Sequence, residues 1–245
     1  PGTFDGKGFT VGNLVVTGNN SYVGLFGFTT NGEIKNLVVE NAKVSGRLNV
    51  GVVAGTPYTS KYTNITVKGH VEVNGMAYVG GVGGRNAYAN WTNITVNVDE
   101  TSYVKANSVE NGTAYRTYVG GVVGFNGEGG HKFSNITSNI NVEGSTIDVG
   151  GLFGIAHYGN RFENCSCSGD VTITTDDADD ADPFLGIGHA HAADHQIPVL
   201  MEQGIELIRH LVGIGDDGNG CDAPAAPVLC FGPWSGGNGQ RDYIL

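Results

Sequence analysis

A short block built on Val-Gly recurs along most of this chain. A sequence that copies itself at a near-constant interval is committed to stacking those copies, because one copy cannot bury its own apolar face. The block reads YVGLFG from Tyr22, NVGVVAG from Asn49, YVGGVGG from Tyr78, YVGGVVG from Tyr118 and DVGGLFG from Asp148, with a degenerate PFLGIG from Pro183. Successive starts of the five clear copies lie 27, 29, 40 and 30 residues apart, and the long interval holds an insertion placed around Tyr103 to Thr117.

A second block trails each of these at a similar offset. It reads NLVVENAKVSG from Asn36, NITVKGHVEVNG from Asn64, NITVNV from Asn93, NITSNINVEG from Asn135 and NCSCSGDVTI from Asn164, with an earlier copy, GNLVVTG, around Asn13. Each unit is two or three short β-branched strands separated by Gly, Asn or Ser turns, and no helical period interrupts the first 175 residues. Stacked at the strand spacing of about 4.8 Å, the copies make one continuous core. The expected fold is therefore all-β, a right-handed parallel β-helix. Val23, Val50, Val79, Val119 and Val149 are expected to form one interior ladder. Ile65, Ile94, Ile136 and Cys165 are expected to form a second, with Val67, Val96 and Cys167 beside it.

The VGxxxG blocks and the trailing N-[LIC]-x-[VC] strands, over about residues 1 to 175, resemble the GLUG-motif repeats of bacterial surface proteins. That resemblance implies a right-handed β-helix displayed on a cell surface, as in adhesins, and it brings no catalytic residues with it. The domain reading is a β-helix over 1–190, about six coils, followed by a capping or assembly segment over 191–245.

Composition removes several functions. Lys and Arg number 13 against 24 for Asp and Glu, and a net charge of −11 repels nucleic acid and anionic membrane. No apolar run approaches the roughly 18 residues of a membrane-spanning helix. Gly makes up 41 of the 245 residues without a three-residue period, so the glycines serve corners and close packing rather than a collagen helix. A chain opening on Pro1 and Gly2 rather than Met reads as a processed product or a segment, so the absence of a leader does not argue for the cytoplasm.

Asn-x-Ser/Thr occurs at Asn19, Asn64, Asn90, Asn93, Asn111, Asn135 and Asn164. The repeat itself multiplies such sites, and Asn also suits solenoid corners where side chains ladder. Glycans on every rung would crowd at the strand spacing, so Asn19, Asn90 and Asn111, read as loop sites, are the better acceptors. Cys165, Cys167, Cys221 and Cys230 are the disulfide candidates, in three possible connectivities.

After Thr175 the composition changes. Asp176, Asp177, Asp179, Asp180 and Asp182 offer oxygens to Ca²⁺ without matching an EF-hand spacing. His189, His191, Asp194 and His195 resemble the HxHxDH zinc signature of metallo-β-lactamase-like hydrolases, with one residue too many before the Asp. Pro198 to Gly213 has the period of one amphipathic helix, expected to cover an open end of the solenoid or to dock on the next molecule.

No cofactor and no catalytic set is expected, Ca²⁺ aside. Asp5, Glu33, Glu72, Asp99, Glu143 and Asp170 fall in different phases of the repeat; Lys105, Glu110 and Arg116 sit at its one break. The function that follows is an extracellular, glycosylated structural or adhesive subunit, its partners further copies joined head to tail or surface carbohydrate. A carbohydrate-binding or polysaccharide-cleaving β-helix is the alternative, with Tyr22, Tyr78 and Tyr118 as a stripe able to stack sugars. A repeat module of a larger enzyme is a third reading.

Overall fold

Strands of alternating β-branched residues need partners on both sides. In the computed structural model the chain finds them by coiling, each strand lying parallel on the strand one repeat earlier. The structure describes residues 2–107, 109–110, 113–114, 117–127, 130–145, 148–156, 160–173, 190–192 and 195–197. All regular structure among them is β.

Three parallel sheets form the walls. The widest contains β1 (Thr3–Asp5), β2 (Thr10–Val16), and the repeat's trailing block in later coils; the other two hold the Val-Gly block. The first full coil has Val23 bridged to Val50, then β3 (Phe26–Thr30) and β4 (Glu33–Ser45). The second is β5 (Leu48–Gly51), β6 (Ala54–Tyr58) and β7 (Lys61–Gly75), and the third is β8 (Ala77–Gly80), β9 (Gly83–Asn86), β10 (Asn90–Val98) and β11 (Tyr103–Ala106). Between coils three and four lies a two-stranded antiparallel excursion, β12 (Val109–Glu110) with β13 (Thr113–Ala114). The fourth coil is β14 (Tyr118–Gly120), β15 (Val123–Asn126), β16 (Lys132–Ser138) and β17 (Asn141–Gly144). The fifth is β18 (Asp148–Gly150), β19 (Phe153–Ala156), β20 (Arg161–Cys167) and β21 (Val171–Ile173), after which the backbone of β22 (Ala190–Ala192) and β23 (His195–Ile197) extends the wide sheet. The fold is a parallel β-solenoid of about five turns.

The expected ladders are in register. Val50, Val79, Val119 and Val149 pair in turn and, with Val23, are at most 6% exposed. Leu37 joins Ile65, Ile94, Ile136 and Cys165 in the second ladder. Beside it run Val39, Val67 and Val96, then the buried Ser138, then Cys167. A third column, which the Val-Gly pattern does not announce, holds Ile34, Tyr62, Trp91, Phe133 and Phe162. Tyr62 stacks on Trp91 with ring centroids 4.4 Å apart, and Phe133 stacks on Phe162 at 5.2 Å.

Two expectations change. The insertion begins after Ala106, not at Tyr103, because β11 pairs residue for residue with β7 and β17 and so belongs to the regular coil. Cys165 and Cys167 are reduced and point into the core, two apart on one inward face, so they are not joined to each other. Burial pushes the Cys165 thiol up to about 11, and it donates to the carbonyls of Glu163 and Phe133. Cys221 and Cys230, and the helix expected over 198–213, lie outside the described residues.

Asparagine makes the sharpest corner. Asn36, Asn64, Asn93, Asn135 and Asn164 all hold φ between 52° and 56°, the left-handed region that Asn tolerates better than other side chains. Each later one donates its Nδ2 to the Oδ1 of the one before at 2.8 to 3.0 Å, and Asn36 donates to Asp5 at 3.0 Å. Replacing Asn93 with alanine removes two ladder hydrogen bonds and forces a Cβ without local compensation into that region. It is expected to cost about 2 kcal/mol in urea unfolding, and Asn93→Gly, which keeps the conformation, about half that.

Candidate functional site: an exposed aromatic face

The outer face of the sheet built from β3, β6, β9, β15 and β19 departs from the polar surface a soluble solenoid usually presents. Alternation puts Val50 and Pro57 inward and their neighbours outward. The outward positions and the turns beside them carry Tyr22, Phe28, Tyr58 and Tyr88, which are 53%, 54%, 38% and 42% exposed. These rings form one chain along the solenoid axis: Tyr22 to Phe28 at 6.1 Å, Phe28 to Tyr58 at 6.0 Å and Tyr58 to Tyr88 at 5.7 Å, continuing to His131 at 5.7 Å. Such spacings are those of favourable edge-to-face and offset contacts.

A second group lies farther along the same face. Tyr78 and Tyr118 stack with centroids 5.2 Å apart, and the Phe125 edge meets both. The exposed guanidinium of Arg85 lies 5.9 Å from the Tyr78 ring centre and 5.5 Å from that of Phe125, a cation–π clamp. Register links the groups: Arg85 pairs with Phe125, and Thr56 pairs with Phe28 and stands opposite Arg85. Tyr22, Tyr78 and Tyr118 head the same column of the repeat, with Asn49 standing between Tyr22 and Tyr78. The rings between them, Phe28, Tyr58, Tyr88 and Phe125, escaped the sequence reading because they occupy different offsets in their copies.

A polar cluster sits on the wide sheet. His70 Nε2 lies 3.1 Å from Glu72 Oε1 and its Nδ1 lies 3.2 Å from Asp99 Oδ2, while Lys43 Nζ reaches Glu72 at 2.6 Å. Thr101 and Ser102 donate to Asp99 Oδ1 at 2.8 and 2.9 Å. The Thr101 hydroxyl above all, with Ser102 and His70, holds the Asp99 carboxyl down at about 2. Hydrogen bonds to Glu72 first and Asp99 second raise His70 above its ordinary value. Each ring nitrogen lies within hydrogen-bond distance of a carboxylate, and Nδ1 also lies 3.1 Å from the Thr101 hydroxyl. His70 binds its proton more tightly in the folded chain, so its stabilising contribution is complete below the unfolded value of about 6.5 and is lost as pH rises through the raised folded value. In an NMR titration His70 is expected to titrate above about 6.5, and Glu72→Gln or Asp99→Asn to bring it back down.

The remaining candidates are placed as follows. Asn64, Asn93, Asn135 and Asn164 are exposed but are corner residues whose Nδ2 is engaged in the asparagine ladder. Asn90 opens β10 rather than lying in a loop, and its Oδ1 accepts from the Lys132 amide at 2.9 Å. Asn19 is exposed beside an open depression of about 250 Å³ that also touches Arg47 and Asn74. Lys105 pairs with Glu143 at 2.5 Å, across neighbouring coils. His191 and His195 fall on the antiparallel pair β22 and β23. Asn111, Asp176, Asp177, Asp179, Asp180, Asp182, His189, Asp194, Arg116 and the Glu110 side chain lie outside the described residues. Among the described residues no group of three His, Cys, Asp or Glu side chains is arranged to hold a metal.

No family model matches the chain. A stretch of 72 residues, 29% of the chain, is 40% identical to halomucin of Haloquadratum walsbyi (strain DSM 16790 / HBSQ001), of which it spans 1%. A crystal structure from Bacteroides ovatus, provisionally assigned as an immunoglobulin A1 protease, matches with a TM-score of 0.46 at 16% identity, covering 82% of this chain and 65% of that one.

Proposed function

We propose that this chain is a non-catalytic structural and adhesive element of an extracellular surface, a rod of stacked coils that joins further copies end to end. The observation that carries the reading is the pair of ladders that stay in register from coil to coil across the β12–β13 excursion. The Val23 ladder and the Asn36 ladder run through every coil, so each rung presents nearly the same surface as the last. An enzyme on such a scaffold needs charged groups that converge. Here Glu33, Glu40, Glu143 and Glu163 are each taken up by a neighbouring Lys, and the charged groups that do converge, Lys43, His70, Glu72 and Asp99, are paired with one another.

End-to-end joining follows from the repeat itself, in which each coil stacks on the one before through the same ladders. The sequons and the stretch shared with halomucin support an extracellular placement. Glycans are assigned to Asn19 and Asn111 ahead of the ladder sites, where attachment displaces a rung-to-rung hydrogen bond. Deglycosylation is expected to lower the intact mass, and an unchanged mass removes the glycan part of the reading.

Negative-stain microscopy of the purified chain tests the rest. Rods or filaments of constant width are expected. Short particles that cleave polysaccharide would instead favour a catalytic β-helix.

A further inference from the structure

Nothing in the stacking of coils calls for the aromatic face. Interior ladders alone make the rod, and exposed rings carry an aggregation cost that a purely structural surface avoids. Arg85 adds to the anomaly. In a chain of net charge −11, its guanidinium has no carboxylate partner among the described residues and is held instead between Tyr78 and Phe125. A cation fixed in this way, with its N–H groups free, is an anion acceptor.

The outward columns also contain two orphans. Asn49 Oδ1 and Thr56 Oγ1 belong to side chains that are 6% and 5% exposed, and neither atom has a hydrogen-bond partner. Asn49 stands in the position that Tyr78 occupies one coil later, and Thr56 stands between Phe28 and Arg85. A buried polar atom left unmet costs about 1–3 kcal/mol, so the Asn49 oxygen points to a donor, and the Thr56 hydroxyl to a donor or an acceptor, that the bare chain lacks. The face therefore offers flat apolar rings spaced along the axis, one unneutralised cation and two oxygens wanting hydrogen-bond partners.

We propose that this face binds an acidic polysaccharide, with sugar rings lying on Phe28, Tyr58 and Tyr88, a uronate carboxylate on Arg85, and ring hydroxyls donating to Asn49 and Thr56. A polymer fits better than a small molecule because the rings run in an open line across successive coils rather than lining a pocket. The preference for a carboxylate-bearing polymer over a neutral one is local to Arg85 and works against the chain's net charge of −11. Hydroxyl donors answer the orphan oxygens, which an apolar protein ridge leaves unmet. The proposal deepens the adhesive reading by naming what the rod adheres to, and it rests on that reading.

Affinity electrophoresis of the folded chain through gels containing polygalacturonate, with dextran as the neutral control, tests it. Polygalacturonate is expected to retard the wild type while dextran does not. Arg85→Gln is expected to weaken retention about tenfold or more, the loss of a charge-assisted contact, and Tyr58→Ala/Tyr88→Ala to abolish it. Circular-dichroism melting confirms that both variants keep the fold. No retardation of the wild type, equal retardation in dextran, or retention unchanged in both variants would overturn the proposal. So would self-association that Tyr58→Ala/Tyr88→Ala removes, which assigns the face to a second copy of the chain. Rods that persist while polygalacturonate fails to bind would sink this inference and leave the structural reading standing.

Discussion

Replacing Trp91 with alanine is expected to cost about 3–5 kcal/mol, seen as a lower midpoint in equilibrium urea unfolding. The indole is fully buried in the central coil, stacked on Tyr62 and paired in register with Phe133. Removing it opens a cavity between two large rings that ladder hydrogen bonds hold at fixed spacing, so the site cannot collapse to fill it. A polar debt adds to the loss. Trp91 Nε1 donates to Asn86 Oδ1 at 2.9 Å, and Asn86 Nδ2 donates to Asn126 Oδ1 at 2.6 Å, all within the core. Alanine leaves the Asn86 oxygen without its donor. Trp91→Phe, which keeps most of the apolar volume but not the N–H, isolates that contribution at about 1–3 kcal/mol. Tyr88→Ala, three residues away and on the outer face, is expected to change stability by no more than about 0.5 kcal/mol.

Trp91 also shows how far the sequence could be read. The valine and isoleucine ladders were legible because their period coincides with the Val-Gly and Asn blocks that reveal the repeat. The aromatic column carries an equally regular signal, a large apolar residue two positions before each ladder asparagine: Ile34, Tyr62, Trp91, Phe133 and Phe162. It was hidden because its members differ in chemistry, and alignment by residue identity passes over them. Position matters there more than type, since any large ring fills the same slot.

The asparagines were legible as ladder formers suited to corners, but strand parity alone could not say whether the wall turns at them. Parity counting makes Asn64 an ordinary outward strand residue, and only its φ of 55° reveals that the wall turns there. The aromatic face was half legible for a related reason. Tyr22, Tyr78 and Tyr118 head their copies and so announce themselves, whereas Arg85 and Phe125 acquire meaning only when register places one over the other. Pairing between coils is not written in either residue's own neighbourhood.

Replacing Gly124 with alanine is expected to cost about 3 kcal/mol, although it adds one methyl group and removes nothing. An ideal Cβ there would lie 2.4 Å from the Val79 amide nitrogen and 2.7 Å from the carbonyl oxygens of Tyr118 and Val79. All three obstacles are backbone, so no rotamer change can relieve them. The requirement repeats: a Cβ at Gly84 would meet the Val50 nitrogen at 2.4 Å, and one at Gly154 would meet the Val119 nitrogen at 2.4 Å. Along this column the walls of the solenoid touch main chain to main chain, and that contact is what turns the Val-Gly strand back on itself within so few residues. None of the three needs a left-handed φ, so the selection is for space rather than backbone freedom. Two controls separate the alternatives. Gly12→Ala, whose Cβ would have 4.0 Å to its nearest neighbour, is expected to be neutral or slightly stabilising through the unfolded chain. Gly84→Ala/Gly124→Ala is expected to lose more than the sum of the single changes, because adjacent coils must be pushed apart at the same seam. A urea midpoint for Gly124→Ala equal to that of Gly12→Ala would show that the seam can open, and the close contact of walls would then not be what holds each coil in register with the next.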